Sequence, residues 1–458
     1  MRLTPCQAAL AAAIALNLLL LLLSLPRLLP APPPAPRCRP ISAPRPPTPG
    51  VTVLLRDFED FAHDLPGTSR SFSSLDLPVL PKLELHIRTQ HVLIVPDGTR
   101  ASPEILDAMT AALDSNTRLV LVPVGPTPLR CVGLDVDLRR WTLRYDAQGG
   151  CGAADGGTAA LLMRSQDLFN LSFPTERPLD LAVFIQAALR GWRLRVLRRG
   201  FTSVPSALSS AHHVWKAQNL KDSRRRRLME EFGIKLEVLE DGRRRWYGCS
   251  KETERCFGTI RARTPPYLLE GRWTPPCCLK ALRETAKHVV EVLEKSGVRY
   301  WLEGGSLLGA IRSQDIIPWD YDVDLGIYRD DATKCQWLRA ARNGPVEDEE
   351  GFVWEKATEG DFFRVHYSRS NRLHVDLWPF FPRAGVMTKD TWLGHPQDVE
   401  FPERFLLPTV PLPFAGFIAM GPNNAREFLE LKFGPGAVEE PEYPNPAVLR
   451  LRRGEPPQ

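Results

Sequence analysis

"IPWDYDVDLGIY", residues 317–328, sets three carboxylates on alternate positions, Asp320, Asp322 and Asp324, within an otherwise apolar stretch. In a strand, residues at i, i+2 and i+4 point to one side, so the spacing predicts a strand with all three acids on one face. Two carboxylates ~5 Å apart repel by about 3 kcal/mol at an effective dielectric near 20. Three of them must take up protons or hold a cation. Mg2+ or Mn2+ suits such an oxygen cage, with nucleotide phosphates completing the sphere. A solvated acidic edge is the plainer alternative, and the apolar neighbours "DIIPW" and "LGIY" argue against it.

The flanks supply further pieces. "CCLKALRETAKHVVEVLEKSG" (277–297) carries Leu279, Leu282, Ala286, Val289, Val290 and Leu293 on one helical face, and Gly297 stops the helix. "VRYWLE" (298–303) reads as a strand running into "GGSLLGAIR" (304–312), where Gly304 and Gly305 turn the chain and Ser306 is placed to cap a helix. Backbone N–H groups at such a helix start attract phosphate, and glycine permits close approach. Arg312, two turns on, offers a charged donor to a pyrophosphate. "LHVDLWPFF" (373–381) alternates as a half-buried strand, and Asp376 on an adjacent strand would complete the metal site or take a proton from an attacking hydroxyl. His374 reads as a packed, supporting residue.

The remainder of the 458 residues places this unit. A formal charge of +5 with nearly balanced signs argues against a nucleic-acid binder. Residues 8–25, "AALAAAIALNLLLLLLSL", just reach the length that crosses a bilayer, and the proline-rich run 26–50 reads as an extended stalk. A short tail (1–7), an anchor (8–25), the stalk and a globular body have the layout of a Golgi-resident type II membrane enzyme facing the lumen. The "NLS" sequon at Asn170 fits that placement. Residues 51–248 contain "HVLIVPDG" (91–98), "SPEILDAMTAALD" (102–114, Ser102 as N-cap) and "RLVLVPVG" (118–125), which predict a parallel strand–helix–strand unit. "LDLAVFIQAALRG" (179–191) adds a helix, giving a Rossmann-like, glycosyltransferase-like stem. Asp135 and Asp137 read as a solvated strand face answered by arginines. "KDSRRRRLMEEFGIKLEVLEDGRRRW" (221–246) reads as a solvated, charged helix face, with an anionic glycan partner as the alternative.

Nine cysteines in an oxidising lumen suggest disulfides. Cys131 and Cys151 flank a candidate hairpin, and Cys6 at the membrane edge could link two chains. Cys249, Cys256, Cys277 and Cys278 cluster at the entrance to the second half, where two disulfides or a tetrahedral zinc site would each clip a loop.

"WLEGGSLLGAIR" (301–312), "DIIPWDYDVDLGIY" (315–328) and "HVDLW" (374–378) together resemble the core of the LicD-type phosphotransferases, within the nucleotidyltransferase fold. The four-cysteine cluster, "NGPVEDEEGF" (343–352), "GFVWEKATEGDFFRVHY" (351–367) and "LPFAGFIAMGPNNAREFLELKFGPG" (412–436) extend the resemblance to vertebrate Golgi members of that family. It implies transfer of ribitol 5-phosphate from CDP-ribitol to the ribitol-phosphate end of the phosphorylated O-mannosyl glycan of α-dystroglycan, with release of CMP. It also implies magnesium at Asp320, Asp322 and Asp324, and structural zinc at Cys249, Cys256, Cys277 and Cys278. Gly305, Ser306, Arg312 and the segment Trp319, Asp320, Tyr321, Asp322, Val323, Asp324 would contact the donor, as would Gln397, Asp398, Glu440, Pro441 and Glu442. A homo-oligomer, dimer or tetramer, at the Golgi membrane is implied as well. The expected architecture is thus an anchor, an α/β stem (51–248) and an α+β nucleotidyltransferase-like catalytic domain (249–458) with a zinc-clipped loop. Two rivals remain: a UDP-sugar glycosyltransferase using a DxD motif, and a lumenal glycan-binding scaffold without turnover.

Overall fold

The acidic strand lies one strand in from the end of a mixed sheet in which all the neighbouring strands but one pair run antiparallel. A computed structural model describes residues 48–56, 86–204, 210–258, 260, 264–395 and 397–439. The apolar run 8–25, the stalk up to residue 47, Cys6, Cys38, Glu440, Pro441 and Glu442 lie outside the described residues. Among the described residues no helix is long and apolar enough to cross a membrane. The strand Val323–Tyr328 pairs antiparallel with Tyr300–Leu302 and parallel with His374–Arg383. Phe363–His366, Val353–Lys356 and Val346–Glu347 continue the sheet, and Val386–Lys389 pairs with the far end of His374–Arg383.

The alternation that suggested a strand explains the packing. Val323, Leu325 and Ile327 are fully buried on one face, each contributing roughly 1.5–3 kcal/mol through removal from water. Gly326 lies opposite Trp301 in register, and the Trp301 indole fills the space a Cβ at 326 would need. Beneath this face packs the helix Pro276–Lys295 through Ala281, Leu282, Ala286, Val289, Val290 and Leu293. Its apolar stripe is the one legible in the sequence, and Gly297 follows it at φ 65°.

The stem differs from its expected topology. Thr89–Pro96 and Thr117–Val124 form as strands, and Pro103–Ala111 forms the helix between them. However, Thr158–Arg164 inserts between the two strands, antiparallel to both. The sheet is therefore mixed rather than Rossmann-like, with Arg193–Val196 its one recorded parallel neighbour. The cause is the short run "TAALLMR", whose middle five residues are buried on both faces and claim the central position. Ser102 occupies the N-cap position without a side-chain capping bond.

A second stem sheet runs Arg244–Trp246, Leu236–Val238, Thr142–Asp146, Arg130–Asp137, Ala153–Asp155. Cys131 and Cys151 are paired across it. Asp135 sits opposite Arg144, and Asp137 accepts the Arg140 backbone N–H at 3.0 Å, the solvated pattern expected of those acids. The charged helix Ala211–Glu231 is anchored by buried Leu228 and Met229, while Arg225 turns inward to the fully buried Glu237.

The two halves meet at a tryptophan. Trp141, from the stem, belongs to the same hydrophobic cluster as the catalytic sheet. Its indole N–H donates to the Trp273 carbonyl at 2.8 Å, and the Arg272 guanidinium stacks on its ring at 3.2 Å. Arg272 in turn donates to the carbonyls of Leu138 and Gly233, both at 2.7 Å.

Candidate active site

The acids converge, by a route other than one strand face. Pro318 and Trp319 form a turn in which the Asp320 N–H donates to the Ile317 carbonyl at 2.9 Å, so the strand begins only at Val323. Asp320 and Asp322 therefore sit in the approach loop, and Asp324 alone is a strand residue. Thr274 fastens the loop by donating its hydroxyl to the Asp320 carbonyl at 2.6 Å. Asp324 stands beside Asp376 in parallel register, and its Oδ1 accepts the Trp378 indole N–H at 2.9 Å. Val323 points into the core, fully buried, so the donor contact implied for it is not made by its side chain.

The glycine turn opens onto the same point. The helix Gly304–Ser313 starts directly after buried Glu303, with its N-terminus beside Asp324. A Cβ on Gly305 would lie 2.8 Å from Asp320 Oδ2, so only glycine admits that approach without displacing the acid. Ser306 does not cap the helix. Its hydroxyl accepts the Asp324 backbone N–H at 2.9 Å and so fixes the start of the acidic strand.

Crowding shows in the electrostatics. Burial pushes the Asp320 carboxyl up to about 6. Burial, reinforced by the Asp376 charge, pushes Asp324 up to about 7. Asp322 lies well above the usual carboxylate range through burial and the charges of Asp324, Asp320 and Asp376. Such a cluster is stable only when protons or a cation occupy it, and carboxylates beside a helix N-terminus are the donor type that a divalent ion and a phosphate take.

The cleft also holds cations that sequence patterns did not mark. The cavity, about 530 Å³, is lined by Gly304, Gly305, Tyr321, Asp322, Asp324 and Asp376 and also by Arg255, Arg364, Lys389 and Lys432. Arg364 makes a bidentate pair with Asp376 at 2.8 and 3.0 Å. Lys389 pairs with Asp398 at 2.6 Å and lies 3.9 Å over the Trp378 ring. Buried Lys432 contacts Glu303, which also accepts the Trp301 indole N–H at 2.7 Å. Gln397 and Asp398 line the cleft as expected, and His374 supports it, its Nδ1 3.1 Å from the Arg372 carbonyl oxygen.

Two expected contacts fall elsewhere. Arg312 is at the far end of its helix, donating to the carbonyls of Ala437 and Val438 rather than into the cleft. Trp319 packs near Trp273, ring centroids 6.4 Å apart, instead of lining the cavity.

The four cysteines form one cluster. The sulfurs of Cys249, Cys256 and Cys278 lie within 4.8 Å of one another, and Cys277 stands beside Cys249 as Cys278 does beside Cys256. The sulfurs of Cys249 and Cys277, and those of Cys256 and Cys278, stand in disulfide-bonding contact, so the four thiols are grouped closely enough to close as two disulfides or, as thiolates, to serve as the donor type of a tetrahedral zinc.

A mixed sheet with paired acids at a glycine-opened helix start defines a nucleotidyltransferase-type catalytic domain. Residues 297–424 match the LicD/FKTN/FKRP nucleotidyltransferase domain, and residues 38–81 and 76–240 match the fukutin-related protein stem domain. The chain belongs to this LicD/FKTN/FKRP family. It is 54% identical over 500 residues to mouse (Mus musculus) "Ribitol 5-phosphate transferase FKRP", covering 99% of this chain and 100% of the relative. The human protein of the same name is 53% identical over 497 residues, covering 98% of this chain and 99% of the relative. "Ribitol-5-phosphate transferase FKTN" of Macaca fascicularis is 28% identical over 163 residues, 34% of this chain and 33% of its own. Among solved structures, lincomycin-bound lincosamide antibiotic adenylyltransferase LnuA covers 37% of this chain and 95% of its own at 12% identity. Its TM-score of 0.24 carries no argument.

Proposed function

We propose that this chain is a ribitol 5-phosphate transferase that takes ribitol 5-phosphate from CDP-ribitol and adds it to the ribitol-phosphate end of the phosphorylated O-mannosyl glycan of α-dystroglycan. The observation that carries the proposal is the meeting of Asp320, Asp322, Asp324 and Asp376 at the N-terminus of the Gly304–Ser313 helix, in a cavity that Arg364, Lys389 and Lys432 also line. A nucleotide diphosphate needs both sides, an acid-held cation and fixed positive donors. Near full-length likeness to relatives named ribitol 5-phosphate transferase supports the choice of alditol.

The acceptor hydroxyl oxygen bonds to the distal phosphorus of CDP-ribitol, the bond to the CMP oxygen breaks, and the hydroxyl proton passes to the enzyme. Mg2+ or Mn2+ held by Asp320, Asp322 and Asp324 would neutralise charge on the departing nucleotide. Asp376 is placed to receive the proton. Arg364 uses one pair of its carboxylate lone-pair directions and fixes its aim, leaving the other pair open. Ser306 and Gly305 hold the acidic loop at the phosphates. Zinc on Cys249, Cys256, Cys277 and Cys278 would clip the loop that carries Arg255. The reading places the enzyme in the Golgi lumen as an anchored homo-oligomer.

The purified full chain, given CDP-ribitol and a ribitol-phosphate-terminated acceptor, should release CMP with Mg2+ and stop with EDTA. Turnover on UDP-sugars in place of CDP-ribitol would select the glycosyltransferase reading, and absence of turnover on any donor would select the scaffold.

A further inference from the structure

Asp320 and Asp322 belong to a turn that no strand ladder holds, since pairing starts at Val323. Two hydrogen bonds nevertheless reach its backbone from a single residue outside it. The Thr274 N–H donates to the Pro318 carbonyl at 3.0 Å, and the Thr274 hydroxyl donates to the Asp320 carbonyl at 2.6 Å. A carbonyl only accepts, so the one proton of that hydroxyl is committed to Asp320. The Tyr267 hydroxyl, 3.0 Å from the Thr274 oxygen, must then donate to it. The order is fixed: Tyr267 O–H to Thr274 O–H to the Asp320 carbonyl. Both side chains are almost wholly buried, Thr274 at 2% and Tyr267 at 3% exposed. Hydroxyls are costly in a core where Val and Phe have nearly the same shapes, so their use lies in what they hold.

Thr274 is also the end of a strap tied to the stem. The Trp273 N–H donates to the Arg139 carbonyl at 2.9 Å, and the Trp273 carbonyl accepts the Trp141 indole N–H at 2.8 Å. Arg272, one residue earlier, is bound to the carbonyls of Leu138 and Gly233. Tyr267 meets the Trp141 ring edge-on at 6.4 Å and the Phe257 ring at 5.6 Å, so the stem and the cysteine-clipped loop hold its ring from two sides. Residues 272–274 therefore run from stem contacts directly to the acid turn. The turn has little room to move, because a Cβ on Gly305 would lie 2.8 Å from Asp320 Oδ2. Resting on the transferase reading above, we propose that Thr274 is a positioning residue of the transfer reaction: backed by Tyr267, it holds Asp320 at the helix start, and the stem fixes where that hold is applied. The stem thereby bears on the chemistry through this strap. A hydroxyl that served only the fold would set the melting temperature and leave the affinity of the acids for a cation alone.

The test uses the full chain with Mn2+ alone as the probe, titrated without nucleotide and followed by the EPR signal of the free ion, with Asp322→Asn setting the background. Thr274→Val keeps the shape and the N–H bond to Pro318 and removes only the hydroxyl. It should bind Mn2+ about tenfold more weakly than wild type, the loss expected when a buried hydrogen bond to the turn goes unmade. Its kcat should fall about 10²-fold through the displaced carboxylate, with the acceptor KM within about twofold of wild type. Thr274→Ser, which returns the hydroxyl, should recover both. Tyr267→Phe keeps the ring between Trp141 and Phe257 and should shift Mn2+ affinity and kcat in the same direction by less, so it carries the test where Thr274→Val does not fold. A folded Thr274→Val, or in its place Tyr267→Phe, that matches wild type in Mn2+ affinity and kcat overturns the proposal, whatever its Tm. So does Thr274→Ser if it is as impaired as Thr274→Val, and so does wild type that binds no more Mn2+ than Asp322→Asn. Wild type that transfers nothing from CDP-ribitol fails the transferase reading instead, and the Mn2+ comparison still decides the role of Thr274.

Discussion

Asp322 shares its cleft with Asp320, Asp324 and Asp376, so its charge opposes folding unless a cation is present. The folded values of Asp320 and Asp324, about 6 and about 7, lie above the ordinary value of 3.8. The folded chain thus holds more protons than the unfolded one between pH ~4 and ~7, and this contribution to stability is lost as pH rises through that window. Asp322→Asn removes one of the repelling charges. In EDTA the variant should melt roughly 2–4 °C above wild type at pH 8, with the gap closing toward pH 5. Taking the difference between the proteins cancels His366, whose lowered value has the opposite sign. Added Mg2+ should raise the wild-type Tm and leave the variant behind, and transfer should fall on the order of 10³-fold. A variant that melts with wild type at every pH, with or without Mg2+, would remove the cation site. The acids were legible because alternation of carboxylates with buried apolar residues has few other uses. Arg364, Lys389 and Lys432 were not, because each comes from a separate element and none belongs to a spaced motif. A signal did exist for Arg364: a charge between buried Phe363 and Val365, directly opposite Asp376 in register.

The elements that carry these side chains were read with uneven success, for physical reasons. The helix Pro276–Lys295 declared its apolar stripe and its stop, and "HVDLW" declared its strand. The acidic strand was read at least three residues too long, since Pro318 and Trp319 turn the chain before pairing begins. Thr158–Arg164 went unread because a short, evenly apolar run has no periodicity to distinguish it. The helix Ala425–Phe433, the last among the described residues, hides its function best: Lys432 lies on its buried side next to Phe428 and Leu429. Its ammonium answers Glu303 at the N-terminus of the phosphate-facing helix, so the pair ties the end of the chain to the site. Lys432→Met keeps the length and the apolar stem but leaves the Glu303 carboxylate without its cation. Breaking such a buried pair costs about 3–5 kcal/mol, so the Tm should fall by several degrees, and Lys432→Met with Glu303→Gln should recover most of the loss. If the single variant melts with wild type, the pair contributes nothing to the fold of the site.

From Gly50 onward the chain behaves as one unit in its contacts, although its sequence changes character between the stem and the cysteine cluster. Composition suggested two bodies joined by a boundary, and what composition could not convey is that the stem inserts Trp141 into the catalytic core. The contacts there are an indole in an apolar pocket, the Arg272 guanidinium stacked on it and donating to the carbonyls of Leu138 and Gly233, and a backbone bond from the Trp273 N–H to the Arg139 carbonyl. Interfaces between domains of one chain usually permit relative motion unless they are large and apolar, and an aromatic buried at the centre of this one opposes it. The Trp141 carbonyl also receives the Lys235 N–H at 2.8 Å, so the residue that joins the halves fixes the chain next to Lys235 as well. Trp141→Ala should cost about 3–5 kcal/mol and split the calorimetric transition into two, stem and catalytic half melting apart. A single, unshifted transition would show that the halves are coupled elsewhere.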